Sequence, residues 1–531
     1  MRITLLVFAF AAGLHLSAQT FCKSYGDPGI EYAGKMIATS DDGFLFTGNT
    51  NSWSGEFMDL FVLKLDTAGN TEWSTIVYTD LEDIGKSAVE LADGTYMITG
   101  ATYTDAKGYD IAFIHLNHEG ELITATYFGD ETYNWGNKII STPDSGFTIV
   151  GYSDTIGDAL ITFQPLIMKI NAAGEMEWGK RFSVCGDCSG EALDILQLQD
   201  ESFIVTGYIS TGFAVTTTDM FVAKFNSEGI LQWLNRSGNH DNYESGNSII
   251  KAVNNGFIVA GTSVDETYDI YIAKISEDGI TTDQKVIDDN TGETAAQIIQ
   301  TNDHQYAIGG TRMSGDDDYY LVKLDTSLQI IFTSQAGIEE IENATALVQT
   351  PKNNYVISGH SVPAGSFADD LYLLQFDSLG NNCCRNDSGG IVSDYPGDFQ
   401  TGGFDFPVIF TSTSGAAFFN GGNEIIYCED TIPKDTIIQN IQVVDPAANF
   451  IIFPNPSAGL FTIKSLSENH FPERIEILDA SQRIIFIDEN PQFINLELPV
   501  DLRVYQDGIY FIKIFQNGLS TVYPLMLTHE N

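Results

Sequence analysis

The sequence predicts an all-β chain whose body is seven copies of one four-stranded unit, and three recurrences carry that prediction. First, Asp42-Gly43-Phe44-Leu45-Phe46-Thr47-Gly48 returns in degenerate form six times, closing on Gly100, Gly151, Gly207, Gly261, Gly310 and Gly359. Successive closing glycines lie 52, 51, 56, 54, 49 and 49 residues apart. A turn followed by a short aromatic and β-branched run reads as a hairpin entering a buried strand. Second, each glycine is followed by a run like Asp59-Leu60-Phe61-Val62-Leu63-Lys64-Leu65-Asp66, then Gly69 and Trp73. Alternation marks a third strand, Asp-x-x-Gly a turn, and the Trp the start of a fourth. Third, Gly34, Gly85, Gly136, Ala192, Gly246, Ala295 and Ala344 lie fifteen residues before the glycine, fourteen in the first copy. A position kept small in every copy is one where backbones converge, so its strand is innermost.

Four-stranded units repeated at a period near fifty residues make a seven-bladed β-propeller, whose closure limits exposed edges. A solenoid would need atypical capping units, and none is visible. Phe21-Cys22-Lys23-Ser24-Tyr25-Gly26 aligns on Trp233-Leu234-Asn235-Arg236-Ser237-Gly238, while the seventh copy stops at Cys383-Cys384 where its fourth strand should begin. The N-terminal strand is therefore expected to complete the last blade. That places Cys22 near Cys383 and Cys384, with one of them expected to bond Cys22 and the other Cys428. The recurring Lys (Lys64, Lys169, Lys224, Lys274, Lys323; His115 and Gln375 in the other copies) follows the strand period and reads as a solvated face.

The termini and the composition set the compartment. Arg2, the apolar run Leu5 to Leu16 and Leu16-Ser17-Ala18 read as a signal peptide over 1–18. Export makes Cys22, Cys185, Cys188, Cys383, Cys384 and Cys428 disulfide candidates, with Cys185-Gly186-Asp187-Cys188 closing a small loop. No later run is long and apolar enough to span a bilayer. A formal net charge of −47 argues against nucleic acid and anionic membranes as partners. The propeller is placed at 19–384. Residues 385–448 lose the repeat and read as an irregular β-containing connector and linker. Residues 449–531 alternate short strands and turns and read as a small β-sandwich.

That last unit resembles the type A sorting domain of the type IX secretion system of Bacteroidota. The resemblance rests on Pro454-Asn455-Pro456 with Gly459, on Ile475-Glu476-Ile477-Leu478-Asp479, and on Gly508-Ile509-Tyr510-Phe511-Ile512-Lys513-Ile514. Ser481-Gln482 and a final strand without Lys depart from the family pattern. The resemblance implies handling by the type IX machinery, passage across the outer membrane, and a secreted or surface-attached product. The repeats resemble secreted bacterial β-propeller repeats, a class defined by framework that carries no catalytic residues to transfer.

Enzyme signatures are weak. Asp66 to Trp73 has the ingredients of a sialidase-type Asp box at the wrong spacing. Cys383-Cys384 resembles the vicinal pair of quinone-dependent dehydrogenases, but Trp occurs in only three repeats. The histidines are scattered, with no nucleophile elbow. Acids just before the small inner residue, namely Glu31, Glu82 (with Asp83), Glu191, Glu244, Glu293 and Glu342, form a candidate Ca²⁺ ring at a channel rim. The reading is a monomeric, non-enzymatic binding or scaffold module without a resident cofactor, for a glycan, protein or surface ligand. A polysaccharide hydrolase or lyase is the alternative. Recognition is expected on the variable loops Asn49 to Glu56, Ser153 to Pro165, Tyr208 to Thr218 and Ser361 to Ala368, with Trp53 and Trp135 as stacking residues.

Overall fold

The structure, a computed structural model, describes residues 20–527 apart from short stretches, the longest being 156–161, 211–216, 363–368, 384–390, 430–440 and 466–471. Within 391–455 it describes the backbone of the strands. The signal segment 1–18, Trp53, Cys185, Cys384, Pro456 and Gly459 lie outside the described residues. Every regular element among the described residues is a strand.

Seven antiparallel sheets follow the seven repeats. Their first strands are Glu31–Ala38, Asp83–Glu90, Asn134–Ser141, Gly190–Gln197, Tyr243–Lys251, Glu293–Gln300 and Ile341–Gln349. In each, the first strand pairs with the glycine-closed second, the second with the third, and six third strands with a fourth of their own. The seventh third strand, Asp370–Phe376, pairs instead with Phe21–Gly26.

The closing glycines have one cause throughout. Gly48, Gly100, Gly151, Gly207, Gly261, Gly310 and Gly359 stand directly across from Ala33, Gly85, Gly136, Ala192, Gly246, Ala295 and Ala344. A β-carbon on the closing glycine would run into the carbonyl oxygen of the residue before that partner, for instance Ser245 O for Gly261 and Thr294 O for Gly310. Each first strand then carries a one-residue bulge just past the small residue, which re-aims the strand. The partner in the first sheet is Ala33, not Gly34, so the spacing is fifteen in all seven copies.

Neighbouring sheets share apolar layers, one per interface. Sheets one and two meet through Leu60, Val62, Ile98 and Ile114; sheets five and six through Ile258, Ile272, Ile308 and Val322. Sheets seven and one meet through Phe21, Tyr25, Phe44, Phe61, Val356 and Leu373. The first strands adjoin in series, and Glu31–Ala38 contacts both Asp83–Glu90 and Ile341–Gln349. The aromatic of five outer strands docks on the turn after the next sheet's third strand. Trp73 covers Gly120, Trp178 Gly229 and Trp233 Gly279, while Phe332 covers Gly380 and Phe21 covers Gly69.

Three of the five recurring lysines are not solvated, and Lys224 and Lys274 are half-buried. Lys64, Lys169 and Lys323 are only 2–4% exposed. Each reaches under the first hairpin of its own sheet: Lys64 Nζ bonds Asp41 at 2.7 Å and Glu72 at 2.8 Å, and Lys169 Nζ meets Asp144 at 2.8 Å. Lys323 Nζ donates to Thr301 Oγ1 (2.9 Å), Asp303 Oδ1 (2.8 Å) and the Tyr355 hydroxyl (2.9 Å). A long stem lies in the sheet interface while its ammonium serves the turn.

The connector is more regular than its sequence suggests. Strands starting at 391, 398, 404, 411, 417 and 423 add antiparallel, in that order, to the outer strands of sheets five, four, three, two, one and seven. Sheet six, ending in Ile330–Ala336, has four strands among the described residues. This belt escapes a sequence search because its stride of six or seven residues is set by the spacing of the sheets it crosses.

The C-terminal unit packs two sheets on one core. Phe461, Ile463, Val500 and Leu502 face Ile475, Ile477, Tyr510, Ile512, Ile514 and Leu525.

Candidate functional site

First and third strands begin, and second strands end, at the same end of each sheet. Acids of adjoining sheets meet there: Asp370 with Glu31, Asp219 with Glu244, Asp318 with Glu342. The outer strand ends in Gly26 or Gly238, or just before Gly337, at these points, and a β-carbon would fill the space the carboxylates occupy. Glu31, Glu244, Glu293 and Glu342 are fully buried. Short hydroxyl donors serve this position: Thr50 Oγ1 to Glu31 (2.6 Å), Thr102 Oγ1 to Asp83 (2.7 Å), and Ser153 Oγ to Asn134 (2.7 Å). Burial pushes Asp83 up to about 6, against the donors Thr102 and Thr79.

In sheet five the outer strand ends in Asp288 instead of glycine. Asp269, Asp288 and Glu293 can each bring one oxygen within 4.8 Å of the others. These three could hold a divalent cation, although Arg312 Nε stands 3.6 Å from Glu293 and already supplies positive charge.

Above these buried acids lies an aromatic surface. Tyr103 and Tyr133 flank Tyr109 (5.1 and 5.7 Å), and Tyr109 lies 4.8 Å from Trp135. Trp135 and Tyr152 are parallel, 5.9 Å apart at 11°, and Phe163 meets Tyr152 edge-on at 5.1 Å. Beyond them Tyr208 lies 6.1 Å from Tyr243. Tyr133, Phe163, Tyr243 and Tyr268 are each more than one-third exposed.

Charged groups are threaded through these rings. Tyr208 donates to Glu191 Oε1 at 2.7 Å, and Tyr109 donates to Glu82. Lys86 Nζ sits 5.6 Å over the Trp135 ring. Burial, then Glu191, pushes the hydroxyls of Tyr208 and Tyr152 well above the ordinary tyrosine range. Burial lowers Lys86 while Glu191 opposes it. Deeper, Lys35 Nζ donates to Ala296 O (3.1 Å) and Thr345 O (2.8 Å), and burial lowers it to about 8.

The six acids singled out in the sequence thus separate. Glu31, Glu244, Glu293 and Glu342 are buried in separate sheet junctions, whereas Glu82 and Glu191 sit one residue out of that register and serve the aromatic surface. Asp83, not Glu82, holds the buried position. Sequence reasoning found Trp135 but missed Tyr109, Tyr152 and Tyr208. The available signal was Tyr152 and Tyr208 directly after two closing glycines, where other copies have Asn49, Ala101, Thr262, Thr311 or His360.

Among the cysteines, Cys22 is buried, its sulfur 2.9 Å from the Tyr372 hydroxyl, and Cys428 stands opposite it in strand register. Cys188 is buried and Cys383 half-buried. In the C-terminal unit Pro454 and Asn455 end the strand Phe450–Asn455, Gly508 opens Gly508–Gln516, and Tyr510 is in the core.

No curated protein sequence matches this chain. Among solved structures it is similar to a crystal structure of a protein of unknown function from Dyadobacter fermentans DSM 18053. That similarity has 10% identity and a TM-score of 0.39, over 66% of this chain and 98% of that one. Residues 451–527 match the secretion system C-terminal sorting domain family. That domain marks proteins exported through type IX secretion to the cell surface or the extracellular space.

Proposed function

We propose that the seven sheets close into a seven-bladed propeller and that the exported protein is a monomeric, non-enzymatic binding module of the cell exterior. It works without a resident cofactor and engages its ligand through the aromatic surface. Closure is supported by the pairing of Phe21–Gly26 with the seventh sheet and by the apolar layer between sheets seven and one. Binding is supported above all by one observation: the rings from Tyr103 to Tyr268 cluster on sheets two to five. Exposed clusters of this kind on a rigid frame mark interaction sites.

We also propose that Cys22 bonds Cys428, because the register sets them face to face. Such a link would pin the belt's last strand to the N-terminal strand.

The test immobilises the mature chain and exposes it to purified extracellular polysaccharides and envelope proteins. Saturable binding that Trp135→Ala abolishes is the expected result. Release of new reducing ends from a polysaccharide would instead establish the hydrolase or lyase alternative.

A further inference from the structure

We infer that the aromatic surface takes an uncharged pyranose polysaccharide, laid as an extended chain across sheets two to five. This rests on the binding reading above and narrows it to a ligand class.

Three properties of the surface lead there. Its rings offer flat faces and edges for the C–H faces of sugar rings: the parallel Trp135–Tyr152 pair with Phe163 on one side, and Tyr208–Tyr243 on the other. Its polar groups suit hydroxyls. Glu191 and Glu82 are acceptors already oriented by tyrosine donors, and Asn137 Nδ2, bonded to Ala192 O at 3.0 Å, brings an amide to the same edge. A few oriented polar groups among aromatic walls are how small-molecule and glycan sites fix orientation.

The third property is charge. Glu82 and Glu191 lie within the patch, with Asp369 near its His360 border, against the ammonium of Lys86. Burial lowers His360 below its ordinary value, which favours its neutral form. The whole chain carries −47. A uronate or sulfate polymer would meet repulsion both locally and at long range.

A protein partner fits less well. The exposed aliphatics Ile123, Ile230, Ile280, Ile331 and Leu379 lie at the opposite end of the sheets, beside the turns after the third strands, and Ile341 at the near end belongs to sheet seven, outside the patch. The contributing rings span four consecutive sheets, so the ligand is a chain and not a single sugar.

The experiment titrates the full mature chain calorimetrically with cellohexaose, mannohexaose and a hexamer of galacturonate, and repeats it with the corresponding dimers. A neutral hexamer should bind at least tenfold tighter than its dimer and at least tenfold tighter than the uronate. Trp135→Ala and the more exposed Phe163→Ala should each weaken it tenfold or more, and Tyr208→Phe severalfold. Preference for the uronate, or equal affinity for dimer and hexamer, would overturn the inference. If no hexamer binds while an envelope protein is captured in a Trp135-dependent way, the glycan assignment fails and the binding module stands. If nothing binds through Trp135, both fall.

Discussion

The two ends of the seven sheets are built from the same repeat and obey different rules. At the turn end, a buried lysine under the first hairpin, an acid in that hairpin and an aromatic on the next sheet's turn recur with small substitutions. Lys64 with Asp41, Lys169 with Asp144 and Lys323 with Asp303 are one device written three times. At the other end the buried layer also repeats, in the acid pairs and their glycines. The layer above it varies from copy to copy, and holds Trp135, Tyr152, Glu191 and Tyr208 in two adjoining copies. Features that every copy shares hold the copies together. Features that single copies add are free to meet a ligand.

The contrast is sharpened first by breaking the shared framework. Gly261→Ala drives a β-carbon into the Ser245 carbonyl, backbone that cannot step aside. A loss of more than ~3 kcal/mol is expected by denaturant titration of the repeat region's transition.

Asp83→Asn comes next and acts through pH. Its folded value of about 6 lies above the ordinary 3.8, so the folded state favours the protonated acid. The benefit is complete below pH ~4 and is lost as pH rises through 6, at a cost of up to ~3 kcal/mol. The variant should match the parent near pH 4 and exceed it in melting temperature at pH 8. Asn134 already fills the equivalent place in sheet three.

Lys323→Ala should cost ~2 kcal/mol, because it strips the buried Tyr355 hydroxyl and Thr301 of a charged donor. Glycan or other ligand binding should be unaffected. Reduction of the proposed Cys22–Cys428 link should lower the melting temperature by several degrees, consistent with a few kcal/mol for closing a long loop. Unchanged melting on reduction, with Cys22 alkylated in the native protein, would remove that link. The smallest stability effect belongs to Phe163→Ala, within ~0.5 kcal/mol, with the loss appearing in binding.

Much of the framework is legible before any coordinates, because each repeated residue answers a local backbone demand. The closing glycine marks a carbonyl pressed against its α-carbon, and the small residue fifteen places earlier is its partner. Alternation placed the lysines on strands but misjudged their surroundings. Period two says which side a residue faces, and in sheets packed face to face on both sides neither side is open. The acid ring was misread for a related reason. A shift of one residue reverses the face, so Glu82 and Glu191 parted from Glu31, Glu244, Glu293 and Glu342. The belt was invisible because its partners are strands far away in sequence, and the aromatic surface was half visible because its rings come from four different repeats.

The direct test of the division between the two ends is a paired measurement on Lys323→Ala and Trp135→Ala: melting temperature, and saturable ligand capture by the mature chain. The account predicts a clear fall in melting with normal capture for the first. For the second it predicts near-normal melting with capture lost. A Trp135→Ala protein that captures ligand as well as the parent, or a Lys323→Ala protein that melts normally yet no longer binds, would contradict it.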